Sequence, residues 1–144
     1  MIAAAAAWYA EDVVPMIAPA ARHAIAAHQA AGDVVALATG ATQYAAESVA
    51  RGLGIAHTLC SRLEVVDGRF TGKLAAMCFG VHKVTLVEAF ARAADIDLDR
   101  STFYSDSYND LPLLARVGTP VAVNPDVRLW RHARARGWRI EQWR

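Results

Sequence analysis

Two acidic side chains follow an apolar run near the end of the chain. Asp106 comes directly after the strand-like run at 101–105, and Asp110 follows four residues later, next to Asn109. Carboxylate oxygens are the ligands that Mg²⁺ prefers, and a second carboxylate one helical turn on can orient a bound water or join the site. Backbone N–H groups at a helix start also suit an anion. Helix caps and a solvated turn use the same residue types, so the segment alone leaves both interpretations open.

Two further positions carry groups suited to an oxyanion. Thr39 and Gly40 stand at the end of the apolar run 33–39, where a hydroxyl and a backbone N–H can hold one phosphate oxygen. Lys83 stands at the start of a predicted helix, where the helix dipole disfavours a cation, so a lysine there favours a nearby anion. A plain turn and a solvated surface lysine are the alternative interpretations of these positions.

Strand-like and helix-like segments alternate along the chain, and they must position these residues. The predicted helices cover 19–31, 43–54, 83–94, 109–117 and 126–137. The predicted strands cover 33–39, 101–105, 120–125 and 138–143, with a β-hairpin over 57–74 that turns at Asp67-Gly68. The run 33–39 reads as a buried strand. This alternation predicts an α/β fold with a mostly parallel sheet, whose ligands lie beyond the carboxyl ends of the strands.

The hydroxyl, the lysine and the paired acids, in this order, resemble the haloacid dehalogenase superfamily of phosphatases, and most closely its phosphoserine-phosphatase-like branch. The segment VVALATG (34–40) is similar to the second motif, GVHKVTL (80–86) to the third and YSDSYNDLPLL (104–114) to the fourth. The hairpin VDGRFTGKL (66–74) and the tail VAVNPDVRLWRHARARGW (121–138) also resemble this branch. The fourth-motif and tail matches are the specific ones.

This resemblance implies a Rossmann-like core with flanking helices and a β-hairpin, and a Mg²⁺-dependent hydrolase of phosphate monoesters. The implied partner is a small phosphorylated metabolite, with phosphoserine only a guess at the level of the family. The implied roles are metal ligation by Asp106 and Asp110, phosphate binding by Thr39, Gly40, Lys83 and Asn109, and catalysis by Lys83 and Asp110.

The first motif of the family, DxDxT, which carries the nucleophilic aspartate, does not occur in the 144 residues. The D-x-D pattern Asp97-Leu98-Asp99 follows a predicted helix and lies well past the second motif, so its position does not fit the first motif. We therefore expect 1–18 to be the end of a cap or linker, and 19–144 to be a core without its first, central strand. The chain is expected to be truncated and inactive alone, because an aspartyl-phosphate intermediate needs that carboxylate.

The missing strand also predicts unpaired edges at 34–38 and 102–105, where each buried unpaired backbone group would cost about 1–3 kcal/mol. The alternative function is a non-catalytic remnant that binds phosphate or a partner.

The charge balance gives no reason to expect nucleic-acid or membrane partners, since the net charge is +1 with 15 basic and 14 acidic residues. No apolar run is long enough to span a membrane, and no basic segment opens a signal peptide. Cys60 and Cys78 lack metal-site spacing and read as reduced thiols of a cytoplasmic protein. The sequence leaves the oligomeric state open.

The arginines and tryptophans of the tail suggest a third possibility, single-stranded nucleic-acid binding. The favoured interpretation of that segment is a solvated face whose tryptophans pack inward.

Overall fold

The computed structural model describes residues 2–144 and confirms the α/β class. The chain divides into two compact units: the first extends to Cys78 and includes Arg144, and the second is Phe79–Trp143. The domain boundary predicted at residue 18 stays a prediction. Among residues 2–144 there is no helix with both the length and the apolar character needed to cross a membrane.

The first unit begins with helical segments and continues into a three-stranded sheet. Its elements are α1 (Ile2–Trp8), a π turn (Tyr9–Val13), a 3-10 turn (Val14–Met16), α2 (Pro19–Ala30), β1 (Ala36–Thr42), α3 (Gln43–Gly52), β2 (His57–Val66) and β3 (Arg69–Ala76). The strand order is β1-β2-β3, with β1 parallel and β3 antiparallel to β2. The predicted hairpin is confirmed, because β2 and β3 pair antiparallel on either side of Asp67-Gly68. Both turn residues adopt positive φ, at 49° and 74°, as this two-residue turn requires.

The strand predicted as buried over 33–39 is displaced and half-exposed. The structure has β1 at Ala36–Thr42, and none of its residues is buried. Within the described residues β1 pairs with β2 alone, so it is an edge strand of small side chains. The regular pairing ends with Thr39 opposite Cys60, and the register shifts before Thr42.

The second unit is a parallel sheet with helices. Its elements are α4 (Gly80–Ala93), a 3-10 turn (Leu98–Arg100), β4 (Thr102–Ser105), a 3-10 turn (Tyr108–Asp110), α5 (Leu111–Leu114), β5 (Thr119–Val123), α6 (Val127–Arg136) and β6 (Arg139–Glu141). The strand order is β4-β5-β6, and both pairings are parallel. The core cluster of this unit is Leu114, Ala122, Leu129 and Ala133.

Two helices of this unit differ from their predicted bounds. Helix α4 begins at Gly80, so Lys83 lies within its first turn instead of at its first residue. The helix predicted over 109–117 is a 3-10 turn followed by the single turn of α5. After α5 the chain turns towards β5, and the Gly118 N–H donates to the Leu98 carbonyl at 2.9 Å. A Cβ added at Gly118 would lie 1.7 Å from the Asp99 carbonyl oxygen.

The predicted ends of the last helix are confirmed. Asp126 is the N-cap of α6, and Gly137 follows the helix in the left-handed region at φ 66°. The last predicted strand is present as β6, paired with β5 only among the described residues.

The predicted open strand edges are also present. Strand β4 pairs only with β5, just as β1 pairs only with β2, and the two strands belong to different sheets of the described chain.

Candidate functional site

A buried ion pair lies at the carboxyl end of β4, in the second unit. Lys83 Nζ donates a hydrogen bond to Asp110 Oδ1 at 2.6 Å. The two side chains are only 7% and 13% exposed. Ser105 Oγ donates to the other oxygen, Asp110 Oδ2, at 2.7 Å. We call Lys83, Asp110 and Ser105 the lysine cluster; in it, both oxygens of the carboxylate are engaged.

The local sequence folds the 105–110 loop around this cluster. Ser105 is the last residue of β4, and its hydroxyl accepts the N–H of Ser107 at 3.2 Å. Ser107 caps the following 3-10 turn, because its hydroxyl accepts the N–H of Asn109 at 3.2 Å. Asp110 closes that turn through its N–H to the Ser107 carbonyl at 3.0 Å. Short side chains thus use their hydroxyls to fix the loop backbone.

Ser105 is a site residue that the sequence reasoning missed. Its hydroxyl donates to Asp110 and accepts from Ser107, so it links the strand end to the ion pair. The only signal in the sequence was a hydroxyl residue directly before Asp106. Serine at a strand end is too common in ordinary turns to single out this position.

Asp106 lies beside the cluster and is exposed. In the described part of the chain its carboxylate has no hydrogen bond or ion pair, whereas its backbone carbonyl accepts the N–H of Asp126 at 2.9 Å. A carboxylate on a fixed backbone with open lone pairs suits Mg²⁺, which is usually held by one or two carboxylates with water and phosphate completing the shell. Asp106 therefore fits the metal that the resemblance implies.

The other predicted metal ligand, Asp110, is in a different situation. Its oxygens bind Lys83 and Ser105, so its role as a metal ligand stays a prediction. No group of three or more His, Cys, Asp and Glu side chains within residues 2–144 could hold a metal ion. A metal at Asp106 would therefore depend on few protein ligands.

The remaining predicted site residues are distributed over both units. Asn109 is exposed in the 105–110 loop. Thr39 and Gly40 belong to β1 of the first unit, where Thr39 Oγ1 accepts the N–H of Ala41 at 3.2 Å. That bond is the local hydroxyl turn considered as the alternative for this position. The phosphate-binding roles of Thr39, Gly40 and Asn109 stay predictions.

The expectation that the tail tryptophans pack inward is correct for one of them and wrong for another. Trp138 packs against the core cluster of the second unit. Trp130, in contrast, is 43% exposed, with the Arg134 guanidinium 5.3 Å from its ring centroid. It is exposed because Leu129 and Ala133 are the α6 residues that enter the core, and Trp130 falls on another side of the helix.

The sequence profile of haloacid dehalogenase-like hydrolases matches residues 1–115. The chain belongs to the haloacid dehalogenase-like hydrolase family. Named relatives agree with this assignment. A phosphoserine phosphatase of Mycobacterium tuberculosis is 42% identical over 137 residues, which cover 94% of this chain and 44% of that protein. A histidinol-phosphatase of Neisseria meningitidis is 35% identical over 136 residues, covering 91% of this chain and 61% of that protein.

A solved structure of similar fold comes from Bordetella pertussis, a protein described as having unknown function. It has a TM-score of 0.90 at 33% identity and is aligned over 95% of this chain and 63% of its own. The haloacid dehalogenase-like chain spans less than half the length of the mycobacterial relatives, at 46% and 44%.

Proposed function

We propose that the chain carries the phosphate and metal site of a Mg²⁺-dependent phosphomonoester hydrolase. The observation that supports this most is the buried Lys83–Asp110 pair next to the exposed Asp106 carboxylate. A buried lysine is costly unless it is paired. The position of Lys83 beside the open Asp106 carboxylate suits a phosphate group with a bound Mg²⁺, because the lysine offers positive charge to the phosphate and the carboxylate offers oxygens to the metal.

Lys83 would neutralise the phosphoryl group. Its ammonium has three N–H donors, of which one is hydrogen-bonded to Asp110. In the proposed site the other two would donate to phosphoryl oxygens, where fixed positive charge stabilises the transferring group. Asp110 would hold the lysine in place, and Ser105 would fix the orientation of Asp110.

Asp106 would hold the magnesium ion through its exposed carboxylate, with Asp110 supporting the metal site. When bound, Mg²⁺ neutralises charge on the phosphoryl oxygens. Asn109 would supply a further donor to the phosphate, and the phosphate-binding roles of Thr39 and Gly40 in the first unit are those that the family motifs imply. Their contribution can be measured by substituting Thr39→Ala and Asn109→Ala and titrating phosphate.

The substrate class would be small phosphate monoesters. The relatives are named as phosphatases of phosphoserine and of histidinol phosphate, and both are small phosphorylated metabolites. Residues outside the lysine cluster would select among the phosphate monoesters of this class.

A second candidate function is a non-catalytic phosphate-binding protein. For the 144 residues taken alone, the absence of a DxDxT motif agrees with it, because the covalent route needs an attacking carboxylate. For the same reason we propose that the 144-residue polypeptide by itself binds phosphate without turnover.

A chimera separates the two functions. The chain would replace the matched 137 residues of the Mycobacterium tuberculosis phosphoserine phosphatase. If the site is that of a hydrolase, the chimera should hydrolyse phosphoserine, and Asp106→Asn should abolish turnover. A matched control is Asp67→Asn, the same change in the hairpin turn, where positive φ suits asparagine. A folded chimera that binds phosphate but has no turnover would favour the binding protein.

A further inference from the structure

Asp126, which lies between β5 and α6, makes hydrogen bonds beyond those that start and cap the helix. Its Oδ1 accepts the N–H of Leu129 at 2.8 Å, which is the usual N-cap bond. Its Oδ2 accepts the N–H of Tyr108 at 2.7 Å. Its own N–H donates to the carbonyl of Asp106 at 2.9 Å. One residue therefore bonds the backbone on both sides of Ser107, 18 positions away from Tyr108 in sequence.

A second contact joins α6 to the same loop. The Arg128 guanidinium lies 4.1 Å from the centroid of the Tyr108 ring. On α6, the His132 ring lies 6.2 Å from Tyr108 and 5.0 Å from Trp138, both in edge-on geometry. Cation–π and edge-to-face contacts each add modest stabilisation. Tyr108 is thus held through its ring by α6 and through its N–H by Asp126.

We propose that Asp126 is a positioning residue, which fixes the backbone of residues 106–108 so that the Asp106 carboxylate keeps one direction. This inference rests on the proposed function, because it assumes that Asp106 holds the metal. Asp126 touches neither metal nor phosphate in this scheme. It acts through the loop backbone. Groups that orient a metal ligand without touching the metal act in this way, and their loss typically lowers metal affinity about 10–100-fold.

Asp126→Ser separates the two tasks of the side chain. Serine is a good N-cap and can still accept the Leu129 N–H, but its single hydroxyl cannot also accept the N–H of Tyr108. The matched control is Asp97→Ser. Asp97 caps the 3-10 turn Leu98–Arg100 by accepting the Asp99 N–H at 2.9 Å, and it has no hydrogen bond to the 105–110 loop.

The experiment measures amide hydrogen exchange by NMR and Mg²⁺ affinity by calorimetry on the full chain. We expect Asp126→Ser to speed exchange at Tyr108 about tenfold or more, to leave exchange at Leu129 within about twofold, and to weaken Mg²⁺ binding about tenfold. Asp97→Ser should change neither. Asp126→Asn offers one acceptor oxygen for two N–H groups. Its exchange rate at Tyr108 and its Mg²⁺ affinity should both lie between those of Asp126→Ser and those of the wild type.

The possible failures are distinguishable. If the wild-type chain binds no Mg²⁺, the proposed function fails and the positioning role fails with it. If the wild type binds Mg²⁺ and Asp126→Ser binds it equally well, the positioning role alone is overturned. If neither Asp126 variant gives a dispersed NMR spectrum while Asp97→Ser does, Asp126 is a folding residue and the proposal is again overturned.

Discussion

Lys83 Nζ lies 2.6 Å from Asp110 Oδ1, and both side chains are largely shielded from solvent. The pair joins the first turn of α4 to the loop after β4, so it holds two distant segments of the second unit together. The buried lysine beside Asp106 therefore has an acidic partner. The proposed function depends on that lysine and on the hydrogen bonds that Asp110 makes to Lys83 and Ser105.

Removing one partner of the pair should destabilise the chain strongly. We expect Lys83→Met to lower the free energy of unfolding by about 3–5 kcal/mol, because it leaves the Asp110 charge buried and uncompensated. The double variant Lys83→Met/Asp110→Leu should recover much of this loss. Urea denaturation provides the measurement. Asp99→Asn is the control, since it removes an exposed ion pair with Arg116 and should cost little, as exposed ion pairs contribute little to stability. A cost for Lys83→Met as small as the control would contradict the account.

Ser105→Ala should weaken phosphate binding without unfolding the chain. The substitution removes the hydrogen bond to Asp110 and the acceptor for the Ser107 N–H, and a lost buried hydrogen bond costs about 1–3 kcal/mol. We expect a phosphate affinity in the presence of Mg²⁺ several-fold lower than that of the wild type. Ser48→Ala is the control, because Ser48 bonds only a carbonyl within its own helix. Equal phosphate affinity in both variants would show that Ser105 is not part of the site.

Local signals in the sequence were sufficient where one turn of chain decides the structure. Asp67-Gly68 specified the hairpin, and Asp126 with Gly137 specified both ends of α6. The close approach of Gly118 to the backbone of Asp99 was not predictable, because the two residues lie in different segments of the chain. The exposure of β1 depends in the same way on which strands pair with it.

The motif order predicted the residues of the candidate site, whose roles stay predictions, but not the hydrogen bonds among them. Motif similarity pointed to Lys83, Asp106 and Asp110 together. It did not indicate that Ser105 would take the second oxygen of Asp110, nor that Asp126 would bond the loop from the start of α6. Both contacts involve serine or aspartate at strand ends and helix caps, where these residue types occur for local reasons.

The stability of the first unit should fall in alkaline solution through Cys60, which pairs with Thr39 in the sheet register. Burial raises the pKa of the Cys60 thiol above its ordinary value of 9.0. The folded state therefore keeps a proton that the unfolded state loses, and stability decreases as the pH rises through 9.0 towards the folded pKa. Unfolding free energies measured from pH 7 upward should decrease less in Cys60→Ala than in the wild type. Identical pH dependence would contradict the prediction.

The 144-residue polypeptide alone should not hydrolyse p-nitrophenyl phosphate at an appreciable rate with Mg²⁺. The lysine cluster and Asp106 supply charge stabilisation, but the attacking carboxylate of a DxDxT motif is absent from these residues. Loss of a covalent nucleophile can remove several orders of magnitude in rate. Turnover of about 1 s⁻¹ or more that disappears in Asp106→Asn would contradict this, and a nucleophile would then have to exist within the chain.

The most direct test of the phosphate–metal site is a calorimetric titration of the chain with inorganic phosphate, with and without Mg²⁺. Asp106→Asn is the informative variant, because the exposed Asp106 carboxylate has no hydrogen bond in the described chain whose loss could disturb folding. Asp67→Asn serves as its matched control. We predict that the wild type and the control bind phosphate only when Mg²⁺ is present. In Asp106→Asn, the phosphate affinity measured with Mg²⁺ should be lower by about tenfold or more. Phosphate binding that is indifferent to Mg²⁺, or equal in Asp106→Asn and the wild type, would contradict the account.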